Sequence, residues 1–291
     1  MNRLLLVDGN SLINRAYYAT TNLTNGATYG FLNMFLKAVQ DTKATHVAVA
    51  FDVRAKTFRH EMYDKYKAHR KAMPDDLAEQ LGDLKELLLT MNVAILQKPG
   101  FEADDIIGTV ARKTSQAGDC NTVILSADRD CLQLVDECVE LHLTKTGVTN
   151  MEVYTPDRVR AEFGIDPVQM IDLKALVGDK SDNIPGCFGI GEKTALALLK
   201  QFGTLEAVLE GTDNQKVCGQ KELAVLSKTL ATINCDVSIE YSPDSYAWQL
   251  PMSKEVFDEF KKRNFHSICN RKNLWQGGTG DEGGLTQLSF L

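Results

Sequence analysis

Three short apolar runs in this chain each lead directly to an aspartate. Leu4-Leu5-Leu6-Val7 runs into Asp8, Val47-Ala48-Val49-Ala50-Phe51 into Asp52, and Val123-Ile124-Leu125 stops just short of Asp128. Runs of this length, rich in Val, Leu and Ile, read as strands buried on both faces. Similar runs fall at residues 93–96 and 139–143, and helical spacing falls between them, at residues 29–40, 74–91 and 102–116. Such alternation predicts a parallel sheet with crossover helices. A parallel sheet sends the carboxyl ends of its strands to one edge, where ligands gather in open α/β folds. Acids far apart in sequence would then meet at a single rim.

The rim would be crowded. Nine carboxylates fall in five clusters: Asp8; Asp52; Glu102, Asp104 and Asp105; Asp128 and Asp130; Asp179 and Asp182. Each cluster has an ordinary explanation, since acids complement the first turn of a helix and Asp is common in turns. It is their recurrence at strand ends and helix mouths that resists that explanation. So many carboxylates repel one another and hold their protons more tightly unless cations neutralise them. All-oxygen ligands without His or Cys favour Mg²⁺ or Mn²⁺, and paired ions suit phosphoryl transfer.

A formal charge of −7 is the wrong sign for binding a polyanionic partner, yet setting the nine clustered acids aside leaves the rest of the chain at +2. Any positive surface must be local. Arg54, Lys56, Arg59, Lys65, Lys67, Arg70 and Lys71 crowd one stretch, with Phe58, Tyr63 and Tyr66 among them. Basic residues mixed with aromatics neutralise phosphates and stack on unpaired bases. Further on, Gly189-Ile190-Gly191-Glu192-Lys193 opens a helical pattern, a turn that lets backbone N–H groups approach a phosphate. Thr155-Pro156-Asp157 is another helix start, and residues 277–284 read as a Gly-rich linker. No apolar run reaches the length of a membrane span, and Met1-Asn2-Arg3 leads straight into a strand rather than a signal peptide. Seven Cys without a CxxC pair suggest reduced thiols and a cytoplasmic setting.

Taken in order, Val7-Asp8-Gly9-Asn10-Ser11, Tyr66-Lys67-Ala68-His69-Arg70, Glu102-Ala103-Asp104-Asp105, Asp128-Arg129-Asp130, Gly178-Asp179-Lys180-Ser181-Asp182-Asn183-Ile184-Pro185-Gly186 and Gly189-Ile190-Gly191-Glu192-Lys193-Thr194 resemble the flap endonuclease family. Within it they look most like the 5′-3′ exonuclease domain of bacterial DNA polymerase I. The likeness runs from Met1 to about Trp275. It implies a PIN-like α/β domain over residues 1–180, mostly parallel in its sheet, with flanking helices and a helical arch at about 54–90. An α-helical, helix-hairpin-helix-type duplex-binding module would follow over residues 181–275, and a flexible tail over 276–291. All nine acids match family positions and would hold or support two or three Mg²⁺ or Mn²⁺ ions. Tyr66, Lys67 and Arg70 match arch positions at the reacting phosphate or adjacent base. Arg15 and Arg59 resemble other phosphate contacts. Gly189, Gly191 and Lys193 match the duplex-binding hairpin, whose turn in the family often holds K⁺. Between residues 211 and 220 the chain is shorter than the polymerase-linked pattern, and it ends near the point where a polymerase part would begin, as a free-standing nuclease would.

The expected activity is therefore metal-dependent, structure-specific hydrolysis of DNA at 5′ flaps, nicks or gaps, in bacterial replication or repair, by a monomer associated with the nucleoid. The rivals are a PIN-type ribonuclease and a non-catalytic protein that binds branched DNA. At the far end, Gln287-Leu288-Ser289-Phe290-Leu291 resembles the motif by which bacterial proteins dock on the replicative sliding clamp, with Gln287, Leu288, Phe290 and Leu291 as the contacts.

Overall fold

A computed structural model describes residues 2–20, 23–118, 120–145 and 150–276. The clamp-motif residues Gln287, Leu288, Phe290 and Leu291 lie outside them.

Strands β1 (Asn2–Asp8), β2 (His46–Ala50), β3 (Ala94–Leu96), β4 (Cys120–Ser126), β5 (Val139–Thr144) and β6 (Met151–Tyr154) form one sheet in the order β3-β2-β1-β4-β5-β6. Every pairing is parallel except that of β5 with β6. The register sets Leu5 beside Val47 on one side and Val123 on the other. Because side chains alternate along a strand, Leu5 and Val7 enter one core and Leu4 and Leu6 another. Two-sided burial is why these strands read as unbroken apolar runs. The edge strand β6 alternates instead, with Glu152 paired to Lys145 and Arg158.

The helices are α1 (Gly9–Ala19), α2 (Gly26–Thr42), α3 (Phe58–Met62), α4 (Asp75–Thr90), α5 (Ala103–Ala117), α6 (Pro156–Phe163), α7 (Met170–Val177), α8 (Glu192–Phe202), α9 (Leu205–Gly211), α10 (Gln215–Cys218), α11 (Lys221–Ala231), α12 (Lys254–Lys262) and α13 (His266–Cys269). Helices α1, α2 and α4 cover the Leu5 face, and α12 and α13 join them. Residues 248–275, grouped by sequence with the second module, thus pack onto the first. Trp248 stands edge-on to Phe35 at 5.8 Å and donates its indole N–H to the Met91 carbonyl at 2.7 Å. Helix α5 covers the opposite face and shares its core with α6 through α9.

The stretch expected as a helical arch is helical only at its two ends. Between α3 and α4 the chain turns, with Lys67 in the left-handed region at φ 53°, and drops onto the acidic rim.

The turn after α7 depends on two glycines packed backbone to backbone. Gly178 and Gly186 have φ of 77° and 63°, and a Cβ on Gly186 would lie 2.3 Å from the Gly178 nitrogen. Gly118 also has positive φ, 73°, but faces open space. Gly186→Ala should therefore destabilise by more than about 2 kcal/mol, whereas Gly118→Ala should cost only about 1 kcal/mol of backbone strain. Urea unfolding checks this, and equal losses would show that the close approach carries no energy.

Candidate active site

The sheet puts Asp8, Asp52 and Asp128 at one edge. Asp8 closes β1, whose neighbours in the sheet are β2 and β4; Asp52 and Asp128 each lie two residues past the ends of those strands. Asp8 also caps α1, accepting the Ser11 N–H at 3.0 Å, and the Ser126 hydroxyl donates to it at 2.7 Å. The Ser126 hydroxyl in turn accepts the Asp128 N–H, and Ser11 Oγ accepts that of Ala127. The two serines lock the turn that presents Asp128. Asn10 does the same for Asp52, accepting its N–H at 2.9 Å. Asp52 then reaches across to α5, where it accepts the Ala103 N–H at 2.7 Å. That bond satisfies a donor in the first turn of α5 and fixes Glu102, Asp104 and Asp105 against the strand ends.

Two further groups close the site. Asp128 caps the turn after β4 by accepting the Asp130 N–H at 2.9 Å. The loop after α7 is pinned by reciprocal backbone bonds between Asp179 and Ile184, and turns Asp179 and Asp182 inward. Lys174 Nζ bridges Asp130 and Asp179, 2.5 Å from the latter. Lys67 Nζ lies 2.7 Å from Glu102 and 3.5 Å from Asp182, which Arg70 also pairs. Tyr66 is buried and its hydroxyl donates to Glu102 at 2.9 Å. In this arrangement Tyr66 is closed to the base stacking expected of it, while Lys67 and Arg70 stand where a phosphate could exchange for the carboxylates.

Arg59 is placed differently from expectation. Instead of facing a phosphate, it is 1% exposed. Its guanidinium takes both Asp105 oxygens at 2.8 Å, Glu102 at 3.2 Å, and the carbonyls of Leu230 and Thr232. Every donor direction of the fork points inward, so Arg59 is a structural cation. Arg15 lies on the Ser11 face of α1, partly exposed, with a buried Nε that has no hydrogen-bond partner. Gly189, Gly191 and Lys193 are exposed together at the entry to α8, remote in sequence from the strand ends.

Nine carboxylates thus face four bases: Arg59, Lys67, Arg70 and Lys174. Among the described residues no Lys or Arg forms a salt bridge with Asp8, Asp52, Asp104 or Asp128. Burial raises the pKa of several of the rim carboxylates. Burial pushes Asp8 up to about 6, even against its serine bonds. Burial and then Asp128 push Asp130 up to about 7 against the pull of Lys174. Asp52 and Asp104 are also raised, chiefly by burial. Burial works the same way on Asp179, but Lys174 outweighs it and holds that group at about 2. As they stand, no three carboxylates among the described residues converge on one ion-sized point. The ammonium of Lys174 fills the space between two of them, and the donor set, oxygen throughout, fits hard divalent cations.

Lys174 escaped the sequence reading, and Asn10, Ser11 and Ser126 carry a positioning role that their place in the motifs beside the aspartates does not reveal. For Lys174 there was a signal, since it is the one cation in the apolar helix Met-Ile-Asp-Leu-Lys-Ala-Leu-Val.

Two outcomes follow from this electrostatic arrangement. Arg59→Met leaves two buried acids uncompensated and should cost about 3–5 kcal/mol; Arg70→Ala, on a half-exposed side chain, should cost less than about 1 kcal/mol. Urea unfolding of both variants decides whether Arg59 is structural. In chelator, Asp130 holds a proton in the folded chain that it sheds on unfolding, so its contribution to stability is present near pH 4 and is lost as pH rises to about 7. Asp130→Asn should accordingly gain thermal stability over the wild type, by a margin that grows between pH 4 and 7 and is flat above. A margin independent of pH would contradict the raised carboxyl.

Two family models match the chain: the 5′-3′ exonuclease N-terminal resolvase-like domain over residues 3–164 and the 5′-3′ exonuclease C-terminal SAM fold over residues 165–254. DNA polymerase I of Bacillus caldotenax is 43% identical over 99% of the chain, which covers 34% of that protein. DNA polymerase I of Bacillus subtilis is 40% identical over 92% of the chain, covering 32% of that protein. The chain thus spans about a third of the length of the curated relatives it matches. Among solved structures, the bacteriophage T5 flap endonuclease, crystallised with DNA and metal ions, shares the fold at a TM-score of 0.69 and 23% identity, over 80% of this chain and 90% of that one. With the acid rim, the PIN-like sheet and both matched domains present in one chain, the protein belongs to the 5′-3′ exonuclease family.

Proposed function

We propose that this 5′-3′ exonuclease-family hydrolase is a metal-dependent, structure-specific nuclease that cuts DNA near the 5′ ends of flaps, nicks and gaps in replication or repair. One observation carries the reading: Asp8, Asp52, Asp104 and Asp128 are gathered at one rim with no salt bridge to a Lys or Arg among the described residues, opposite the cations of residues 67–70. Negative charge left uncompensated beside a phosphate-binding segment serves a site that takes up cations with its substrate. Two or three Mg²⁺ or Mn²⁺ ions held by the nine carboxylates would supply the activated water and stabilise the leaving oxygen. Lys67 and Arg70 would trade Glu102 and Asp182 for the phosphoryl oxygens and neutralise their developing charge. Residues 1–180 would carry the chemistry, and 181–275 would hold the duplex through Gly189, Gly191 and Lys193. Lys216 Nζ lies 3.3 Å from the Gly189 carbonyl, so a K⁺ ion at that turn would compete with an ammonium. The tail would add docking on the sliding clamp, in a monomer working at the bacterial nucleoid. No helix of the described residues is long and apolar enough to cross a membrane.

The test compares a 5′-flap DNA with a matched RNA, in Mg²⁺ and in EDTA. The expected result is cleavage of the DNA only, near the flap junction, in Mg²⁺ only. Preferred cleavage of the RNA would favour the ribonuclease reading, and tight binding without cleavage the non-catalytic one. Asp128→Asn should lower turnover by several orders of magnitude while DNA binding in Ca²⁺ persists, because it removes a ligand and relieves repulsion together.

A further inference from the structure

The hairpin between α7 and α8 carries the most exposed large apolar side chain among the described residues, Phe188, at 87%. Its neighbours turn the other way. Cys187 and Ile190 are buried, and the Cys187 N–H is bonded to the Leu176 carbonyl at 2.8 Å. The backbone at the tip is held from outside as well. Gln220 accepts the Phe188 N–H at 2.9 Å and donates to the Phe188 carbonyl at 3.1 Å, while its amide also donates to the Lys216 carbonyl at 2.8 Å. At the base, the Gly186 N–H is bonded to the buried Ser227 hydroxyl at 2.9 Å. A ring of this size gains nothing in water, and a free loop would fold it against the protein. This loop is braced on both sides so that it does not.

We propose that Phe188 is a duplex-contacting residue whose ring packs on the apolar sugar face of a DNA strand. The inference rests on the nuclease reading given above. The setting matches the chemistry of that ligand: a sugar-phosphate backbone alternates apolar sugars with anions. At the same hairpin Lys216 Nζ lies 3.3 Å from the carbonyl of Gly189, the residue after Phe188, the exposed Lys193 follows five residues on, and the first-turn N–H groups of α8 have no acceptor within the helix. A protein partner would call for a broader apolar surface around the ring, and the exposed residues that follow it, Gly189, Gly191, Glu192, Lys193 and Thr194, include no large apolar side chain. The bracing by Gln220 matters because the ring then reaches the duplex without a cost for ordering the loop.

The two native tryptophans, Trp248 and Trp275, are buried, so Phe188→Trp adds a reporter of distinct exposure. In Ca²⁺, titration with a labelled duplex should change the emission of that variant along the same curve as the DNA anisotropy. Phe188→Ala should weaken duplex binding about tenfold with an unchanged salt slope, since no charge is lost, and Phe188→Tyr should restore it. Thermal unfolding of each variant guards against misfolding. If the duplex binds while the emission stays constant, or if Phe188→Ala binds as the wild type does, the proposal is wrong and the nuclease reading is untouched. A response to single strands alone would also overturn it, placing the ring on unpaired bases instead. Failure of the wild type to bind any DNA would overturn both.

Discussion

The buried guanidinium of Arg59 holds together three parts of the chain that have no sequence reason to meet. It joins the segment after β2 to the mouth of α5 through Asp105 and Glu102, and to the end of α11 through the Leu230 and Thr232 carbonyls. Asp105 then takes the N–H groups of Glu102 and Asn234 as well. An ion pair in the interior is no gain over an apolar core of the same shape, but each partner makes the other indispensable. Arg59 lets an acid-rich helix mouth be buried at all. With Asp105 neutralised, Glu102 and Asp104 can be held toward the rim on a fixed frame.

The rim itself is the opposite case, a place where charge is left unbalanced. Desolvation raises the pKa of Asp8, Asp104 and Asp130, and the pull of Arg59 on Asp104 and of Lys174 on Asp130 does not bring either back to the ordinary carboxylate range. A sequence selected for stability alone would relieve such strain with neutral residues, which is why unresolved repulsion of this kind marks functional sites. Lys174 and Lys67 show what the site accepts, since each ammonium bridges two carboxylates from different segments.

The sequence revealed what depends on period and position. Strands β1, β2 and β4 were legible because two-sided burial leaves no polar residue to interrupt them, and their aspartates were legible because a parallel sheet sends them to one edge. Strand β6 was not, since an edge strand alternates Met-Glu-Val-Tyr and its charges answer Lys145 and Arg158. Helix α1 was missed because Asp8 read only as a strand end, when it is equally the cap of the next helix. The basic stretch was read as one surface, and there the sequence is silent for a physical reason. Arg59 and Arg70 differ in whether an acid waits inside the fold, and only the tertiary structure supplies Asp105.

The loop of residues 178–186 links the acid rim to the hairpin. Its aspartates face Lys174, Lys67 and Arg70, and its end, Gly186, packs against its own start at Gly178. On its other side the Lys67 N–H is bonded to the Asp182 carbonyl at 2.9 Å, and the Asn183 amide donates to the Lys65 carbonyl at 2.7 Å. One short loop therefore sets both the distance from carboxylates to hairpin and the seat of the basic turn. Under the proposed function, in which the hairpin holds a duplex, that fixed distance would decide which phosphodiester reaches the acids. Selectivity for a junction would then reside in the stiffness of residues 178–186, which set how far the acids stand from a duplex held at the hairpin.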